Sequence, residues 1–222
     1  MGTVTVQTKT MAAASANNIA LSQSPGAGAI TLNGSTVANG VATIDTYNAL
    51  TNSIPGRRVL ITSGASDAGI TFTVTGTNAA GNTIIDTFAG GAVTATSNLD
   101  FVTVTSVTHT GSVASTITIG TSGVGSGPWI TFNFMGESPM NLGFCVELVS
   151  GAATFTIDYS YDDPNNLPPG VATPLAFTTS AFTGGKSATT DGSLTTPFIA
   201  ARVSISTGTG TIRARFVQAG IG

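Results

Sequence analysis

Residues 196–220, TPFIAARVSISTGTGTIRARFVQAG, decide the fold of the second half of this chain. Apolar and polar side chains alternate on both sides of Gly208-Thr209-Gly210, and side chains on a β-strand switch faces with period two. The pattern therefore predicts two strands, 197–206 and 211–218, each with one covered and one wetted face. The glycine-rich segment between them predicts a turn, so that the strands form a hairpin. The apolar positions are Val203, Ile205, Ile212, Ala214 and Phe216.

The chain upstream of this hairpin predicts three further strands, 130–135, 142–149 and 153–161. These segments are rich in β-branched and aromatic residues, which favour a pleated, half-buried surface. Between them and the hairpin lies 162–193, which is rich in Pro, Gly, Ser and Thr. A loop of this length is typical of a functional segment, and we expect it to act as an arm or lid that packs on a neighbour.

The first half of the chain has the pattern of successive β-hairpins. Asn33-Gly34 and Asn39-Gly40 are dipeptides that supply the positive φ angles of tight turns, and strand-like runs recur roughly every 8–12 residues, as in a sandwich or barrel. A Gly/Ser-rich stretch then predicts a linker. We therefore expect an all-β fold of two β-sandwich or jelly-roll-like domains with an extended N-terminal arm: the arm 1–28, a first domain 29–122, the linker 123–129 and a second domain 130–222.

The composition is poor in charge. Charged residues make up 8% of the 222 residues, with a net charge of −3, whereas about a quarter of residues are charged in typical soluble domains. Low charge weakens the repulsion that keeps proteins apart, which favours a protein packed against neighbours over a free enzyme. The seven Lys and Arg residues are mostly single and scattered, so we expect no direct nucleic-acid binding. The sequence lacks the pattern of a signal peptide and of a membrane span, so we expect synthesis in a cytoplasm and no membrane partner.

The sequence offers no catalytic constellation. His109 and Cys145 are the single histidine and the single cysteine, so a zinc site of the usual composition is excluded, and no Gly-x-Ser-x-Gly segment accompanies the histidine. We expect His109 to lie in a turn or on a sheet surface, and Cys145 to act as a small hydrophobic residue of a strand. No catalytic residue and no cofactor are predicted.

The densest cluster of oxygen ligands is formed by Asp158, Asp162, Asp163 and Asn165. Calcium prefers such ligands on loops, but the spacing differs from that of a calcium-binding loop, and the residues from Asp163 to Asn166 also make a good turn sequence. From the sequence, a turn and a weak cation site both stay open. A glycosidase with Asp162 and Asp163 as paired carboxylates is disfavoured, because adjacent residues at a strand end point apart.

Five arginines are candidates for an interface. Arg57 and Arg58 are adjacent, while Arg213 and Arg215 share the polar face of the predicted hairpin, which Arg202 on the partner strand is expected to join. Such a face is either solvated or in contact with another subunit. Arginine is enriched in protein interfaces and pairs well with carboxylates, so we favour the intermolecular interpretation.

Two regions resemble segments that recur in virion structural proteins of tailed bacteriophages. In 57–121, a TFTVTGT…GN hairpin precedes a FVTVTSV strand and a closing ITIGT; the second region pairs ATFTIDYSYDDPNN (153–166) with 196–220. The resemblance implies a non-enzymatic particle component, above all a capsid decoration (cement) protein. It implies a homo-oligomer that binds the major capsid protein or neighbouring virion subunits. It also implies a location in the virion after synthesis in the host cytoplasm.

Two alternatives remain beside the decoration role. A tail, collar or head-to-tail adaptor component would carry the same kinds of segment. A surface glycan-binding module would instead use Trp129, Tyr159, Tyr161 and the loop 162–193 to stack on sugars. The alternation places both tyrosines on the same face as Phe155, which predicts core positions for them.

Overall fold

The computed structural model describes residues 3–49, 53–132, 141–168, 171 and 173–218. Its regular elements are β-strands and one short 3-10 turn, so the predicted all-β class is confirmed. The protein divides into two compact units. We call Met1–Ala12, Tyr47–Ile54 and Ser126–Gly222 the long-strand unit, and Ala13–Thr46 with Pro55–Gly125 the sandwich unit.

In chain order the strands are β1 (Thr3–Met11), β2 (Ser15–Gln23), β3 (Gly28–Ala29), β4 (Val37–Ala38), β5 (Val41–Thr43), β6 (Val59–Ser63), β7 (Thr71–Thr77), β8 (Thr83–Ala89), β9 (Thr94–Thr96), β10 (Thr103–His109), β11 (Ile117–Thr121), β12 (Gly125–Ser126), β13 (Ile130–Thr131), β14 (Leu142–Ser160), β15 (Phe177–Thr178), β16 (Thr190–Leu194) and β17 (Ala200–Gln218). The 3-10 turn spans Ser180–Phe182.

The sandwich unit consists of two sheets with a shared core. One sheet has the order β4-β5-β10-β7-β8 with β3 against β10, and the other has the order β2-β11-β6-β9. Residues of β6 and β7 alternate between more and less buried positions, as expected when one face of each sheet covers the other sheet. The shared core includes Ile19, Ala20, Ala42, Val59, Ile61, Phe72, Val74, Val104, Val107, Ile117 and Ile119.

The two asparagine–glycine dipeptides play different roles. Asn39 and Gly40 have φ angles of 52° and 78° and connect β4 to β5, so the predicted tight turn is confirmed there. Gly34 instead lies against β2: its amide donates to the carbonyl of Ile19 at 3.0 Å. A Cβ at Gly34 would lie 2.3 Å from the carbonyl oxygen of Asn18. Glycine is therefore required at this position by close backbone approach.

The long-strand unit is built on two strands of 19 residues each, β14 and β17. They pair from end to end, from Leu142 opposite Gln218 to Ser160 opposite Ala200. Shorter strands extend both sides: the sheet order is β1-β17-β14-β15, with β12 and β13 also on β17 and β16 also on β14. The strands predicted at 142–149 and 153–161 are thus one strand. The strand predicted at 130–135 is represented by β13, and its residues 133–135 lie outside the described residues.

The predicted hairpin over 197–218 is wrong. The segment Gly208-Thr209-Gly210 does not reverse the chain, because the residues on both sides of it belong to β17 and pair with β14. The apolar positions of the alternation are buried as predicted. Alternation fits two short strands and one long strand equally well, and only the partner strand distinguishes them.

The two long strands bend near their middles. Phe144 in the first half of β14 and Phe155 in the second half both contact Phe182, with ring centroids 5.6 and 6.0 Å away. An unbent strand would hold Phe144 and Phe155 roughly 36 Å apart. The pair of strands therefore folds over onto itself, and one core contains inward side chains from both halves. They are Leu142, Phe144, Val146, Ile212, Ala214 and Phe216 from one half, and Ala153, Phe155, Ile157, Ala201, Val203 and Ile205 from the other.

Glycines allow this bend. Gly151 and Gly208 have φ angles of 76° and 92°, a region that L side chains rarely adopt. The strands also approach each other closely here, because a Cβ on Gly208 would lie 2.2 Å from the carbonyl oxygen of Ala152. Register shifts in the β14–β17 ladder lie on both sides of the bend, as expected of bulges that curve a sheet.

Residues 1–28 do not form the predicted extended arm. β1 pairs along its length with the second half of β17, and β2 pairs with β11 in the sandwich unit. Both strands contribute buried side chains, among them Met11 and Ile19. The low charge of this segment therefore reflects its place in two sheets and does not indicate an unpaired tail. Residues 1 and 2 lie outside the described residues.

The segment 162–193 is not an open lid. β15 lies within it and β16 begins within it, both strands pair with β14, and Phe182 is fully buried in the core of its own unit. Within it, Gly184 and Gly185 have φ angles of 76° and 78°, as residues of turns often do. Residues 169, 170 and 172 lie outside the described residues.

The predicted linker 123–129 contains the boundary between the two units, which falls after Gly125. It is not a flexible joint over its whole length. The amide of Gly127 donates to the carbonyl of Val203 at 2.9 Å. This part of the segment is therefore bonded to β17, as are β12 and β13.

Replacing Gly208 with alanine should lower the free energy of unfolding by about 1–3 kcal/mol, because alanine is strained at this φ and its Cβ would meet the carbonyl of Ala152. Gly143→Ala is a matched control on β14, since a Cβ there meets only the carbonyl oxygen of Val217 at 3.8 Å. Urea denaturation of both variants measures the difference. Equal stability of the two variants would contradict a bend that depends on glycine.

Candidate protein-interaction surfaces

Asp158 is the centre of a satisfied polar cluster on β14. Its Oδ1 accepts hydrogen bonds from the hydroxyls of Thr156 at 3.2 Å and Thr178 at 3.1 Å, and its Oδ2 accepts one from Ser204 at 2.8 Å. The Arg202 guanidinium lies on the neighbouring strand, with Nε 3.8 Å from Oδ2. The carboxylate is nearly buried, and these partners supply the compensation that a buried charge needs.

Arg202 does not join Arg213 and Arg215 on one face. It lies in the first half of β17, opposite Asp158, and its guanidinium carbon lies 4.5 Å from the centroid of the Trp129 ring. A cation–π contact of this kind holds the arginine in place. The arginine also covers the tryptophan ring that a sugar would need. The prediction of a shared face is wrong because the two halves of β17 lie on either side of the bend.

The remaining acids of the cluster accept backbone amides. Asp163 Oδ1 accepts the amide of Asn165 at 2.9 Å, and Asp162 Oδ2 accepts the amide of Leu175 at 2.8 Å. The bond of Asp163 is the local side-chain-to-backbone bond that aspartate favours in turns, whereas the bond of Asp162 joins it to a residue thirteen positions away. In the part of the chain that the structure describes, no group of three His, Cys, Asp or Glu residues is placed to hold a metal ion. The geometry therefore favours the turn interpretation.

Arg57 is a buried residue of the sandwich unit, so its predicted interface role is wrong. Its Nη2 donates to the carbonyls of Ala13 at 3.1 Å and Ser122 at 2.7 Å. Burial lowers the pKa of Arg57, and the charge of Asp45 partly opposes that shift. Arg58 is half-buried, with Nε 3.8 Å from a carboxylate oxygen of Asp100.

The outward side of β1, β17 and β14 combines valines with arginines. Val4 lies opposite Val217, and Val6 lies opposite Arg215, at positions that alternate with core residues along β17. All three valines are exposed. We call Val4, Val6, Glu147, Arg213, Arg215 and Val217 the valine–arginine face.

One carboxylate holds both arginines of this face. Arg215 Nη2 donates to Glu147 Oε2 at 2.8 Å, and Arg213 Nη1 lies 3.5 Å from the same oxygen. The three side chains are more than a third exposed, and exposed ion pairs contribute only about 0–1 kcal/mol to stability. The arginines are thus positioned by Glu147 while the fold depends little on them.

Three aromatic rings cluster where β14 ends. Tyr159, Tyr161 and Phe177 have mutual centroid distances of 5.7, 5.6 and 5.6 Å. Burial, and then the hydrogen bond with Tyr161, raise the pKa of Tyr159. Tyr159 packs against the core as predicted, but Tyr161 is 47% exposed and Phe177 38%. The core prediction fails for Tyr161 because β14 ends at Ser160, and the pairing of Phe177 with Tyr159 had no signal in the sequence.

His109 and Cys145 have structural surroundings. His109 is buried, in contrast to the predicted surface position, with its Nδ1 2.6 Å from the carbonyl of Gly111 and its ring 5.8 Å from that of Phe72. Cys145 is a half-buried free thiol within β14, opposite Arg215.

Comparison of the chain with protein-family models, with curated proteins and with solved structures gave no match. Among the described residues, no helix is long and apolar enough to cross a membrane. The role of the protein therefore has to be inferred from its own residues and surfaces.

Replacing Asp158 with alanine should lower the free energy of unfolding by about 2–4 kcal/mol, because three hydroxyls and Arg202 lose their shared acceptor. Asp163→Ala, which removes only a turn bond, should have an effect below about 1 kcal/mol. Calcium added to chelator-treated protein should leave the melting temperature unchanged, as the oxygens of Asp158 already have partners. A calcium-dependent rise that Asp158→Ala removes would restore the cation-site interpretation.

Proposed function

We propose that this protein is a non-enzymatic structural component of a bacteriophage particle, most specifically a capsid decoration (cement) protein that stabilises the head shell. The resemblance of 57–121 and 153–220 to segments of virion proteins supports the particle assignment. The charge-poor composition supports it as well, because such a chain is suited to permanent contact with neighbours and poorly suited to free solution at high concentration.

The observation that carries the proposal is the valine–arginine face. Exposed apolar side chains next to arginines have the composition of a protein interface, since arginine is enriched there and lysine is depleted. The face lies on paired strands, so its backbone is already ordered and little conformational entropy is lost on binding. Glu147 holds Arg213 and Arg215 in the unbound chain, and a carboxylate on the partner would compete for them.

The proposed mechanism is cementing by repetition. Each copy would bury its valines and exchange arginine–carboxylate contacts with the major capsid protein or with a neighbouring subunit. Symmetry repeats the same modest contact around the shell, so that the summed free energy resists outward pressure although one interface is small.

A tail, collar or head-to-tail adaptor position is the alternative within the particle, and the same face would serve it. Copy number separates the two positions: a shell protein is present in hundreds of copies, and a tail or neck protein in roughly a dozen, because each follows the symmetry of its location.

The particle itself provides the test. Mass spectrometry of purified virions should detect the chain, and electron microscopy of those virions should locate it on the head in many copies. Virions without the chain would refute the proposal. About a dozen copies at the tail or neck would instead support the tail, collar or adaptor position.

Exchange of Arg213 and Arg215 for glutamate should leave the melting temperature within a few degrees of the unmodified protein, as the ion pairs are exposed. It should reduce incorporation into particles roughly tenfold or more, because repulsion replaces attraction at the face. Lys186→Glu is the control, since it reverses a charge of the same unit outside the face. Normal incorporation of the double variant would show that the valine–arginine face has only a structural role and does not bind another subunit.

A second candidate function is glycan binding by the aromatic cluster, favoured by the exposure of Tyr161 and Phe177. Exposed rings present the apolar faces that sugar rings match, and Asp162 and Asp163 follow Tyr161 directly in the sequence. On a glycan array, specific binding that Tyr161→Ala abolishes and Tyr47→Ala leaves intact is the expected result for this function. Tyr47 is the control because it is exposed at a distant point of the sequence. An array without bound glycans would remove the candidate.

A further inference from the structure

β8 is an open edge of the six-stranded sheet in the sandwich unit. It is the terminal strand in the order β4-β5-β10-β7-β8 and pairs with β7 over its full length without a register shift. The side chains of Thr83, Ile85, Thr87 and Ala89 are all exposed. An edge of seven straight residues is a template on which another strand can pair.

The hydrogen bonds of the hairpin show which backbone groups of β8 point outward. Gly90 donates to the carbonyl of Ile70 at 2.7 Å, and Asn78 donates to the carbonyl of Asn82 at 3.0 Å, at opposite ends of the β7–β8 ladder. Hydrogen-bonded pairs alternate along an antiparallel ladder, so the even-numbered residues of β8 bond to β7. The N–H and C=O groups of Thr83, Ile85, Thr87 and Ala89 therefore point away from the sheet, and no residue in the described ranges is bonded to them.

β8 lacks most of the features by which proteins usually protect an edge, and its one inward charge, Asp86, already has partners within the chain. Lysine, proline, a bulge or an inward charge commonly prevents edge-to-edge pairing. The outward side chains of β8 carry no charge, the strand has no proline, and its one charged residue, Asp86, is turned to the amides of Asn98 and Leu99. Ile85, at the middle of the strand, is 57% exposed.

We propose that β8 pairs in antiparallel fashion with β8 of a second copy of this chain, with Ile85 on the two-fold axis. In this register Ile85 faces Ile85 of the second copy, and each Thr83 faces a Thr87. Each hydrogen-bonded pair exchanges two backbone bonds, so roughly six bonds join the strands. The result is a continuous sheet across two sandwich units, a self-complementary contact of the kind that two-fold symmetry requires.

The chemistry of β8 selects both the partner and the register. Isoleucine against isoleucine and threonine against threonine are favourable cross-strand pairs, and the chain already uses the latter: the hydroxyls of Thr73 and Thr87 lie 3.2 Å apart. A register shifted by one residue, with Asp86 on the axis, would set two carboxylates directly opposite each other and is disfavoured. With Ile85 on the axis, Asp86 faces Ile84 of the second copy.

This contact is separate from the valine–arginine face, which belongs to the long-strand unit, and it does not depend on a role in a virion. A particle protein with one self-pairing edge and one partner face would bind its shell as a two-fold unit and gain avidity from the second attachment.

Disulfide trapping tests the register. In a Cys145→Ser background, Ile85→Cys should form a covalent dimer under mild oxidation, because Cα atoms of a hydrogen-bonded pair lie about 5.5 Å apart, within disulfide range. Val93→Cys is the matched control, with 58% exposure in the same unit. Rapid dimer formation by Ile85→Cys alone supports the proposal, and equal or absent dimer formation in the two variants overturns it.

Sedimentation equilibrium tests the association itself. The unmodified chain should form dimers reversibly, and Ile85→Lys should weaken dimerisation roughly tenfold or more, equivalent to at least about 1.4 kcal/mol. Val93→Lys should leave it unchanged. A chain that is monomeric throughout its soluble range overturns the proposal. It would also be overturned if the amides of Thr83, Ile85, Thr87 and Ala89 gained protection from hydrogen exchange only on addition of another virion protein.

Discussion

The pairing of β14 with β17, together with the glycines that let this pair bend, is the constraint on which the long-strand unit depends. Both halves of the two strands supply inward side chains to one core, so the core exists only if the pair folds over. Gly208 makes the fold possible because its φ of 92° and its close approach to Ala152 leave no room for a side chain. Every other strand described in the unit pairs with β14 or β17 and takes its position from them.

Sequence periodicity predicted which residues are buried but not how far each strand runs. Alternation alone predicts that Val203, Ile205 and Phe216 are core residues. A strand can bend without exchanging its two faces, so the period of two is kept on both sides of the bend. The Gly208–Gly210 segment was misinterpreted because a glycine that turns a chain and a glycine that curves a strand have the same local requirement, a φ that other residues avoid. The choice between them is made by β14, which lies more than forty positions away in the sequence.

The candidate site residues divide in the same way. Arg213 and Arg215 lie outward as the alternation predicted, because their neighbours are core. The burial of Arg57 is not predictable from its neighbours in the sequence, because the carbonyls of Ala13 and Ser122 to which it donates belong to distant segments. The open edge of β8 could not be seen in the sequence at all, as an edge is defined by the absence of a neighbouring strand in the assembled sheet.

The valine–arginine face forms only after both β1 and β17 have been synthesised, because it is built from residues of both strands. Val4 and Val6 precede β17 by most of the length of this chain, so they are synthesised well before Arg213, Arg215 and Val217, which lie beside them in the sheet. At typical translation rates the interval is roughly ten to forty seconds. Through that interval the valines have no partner strand, and the face does not exist. A partner that recognises this face would therefore bind only chains in which both β1 and β17 have been synthesised.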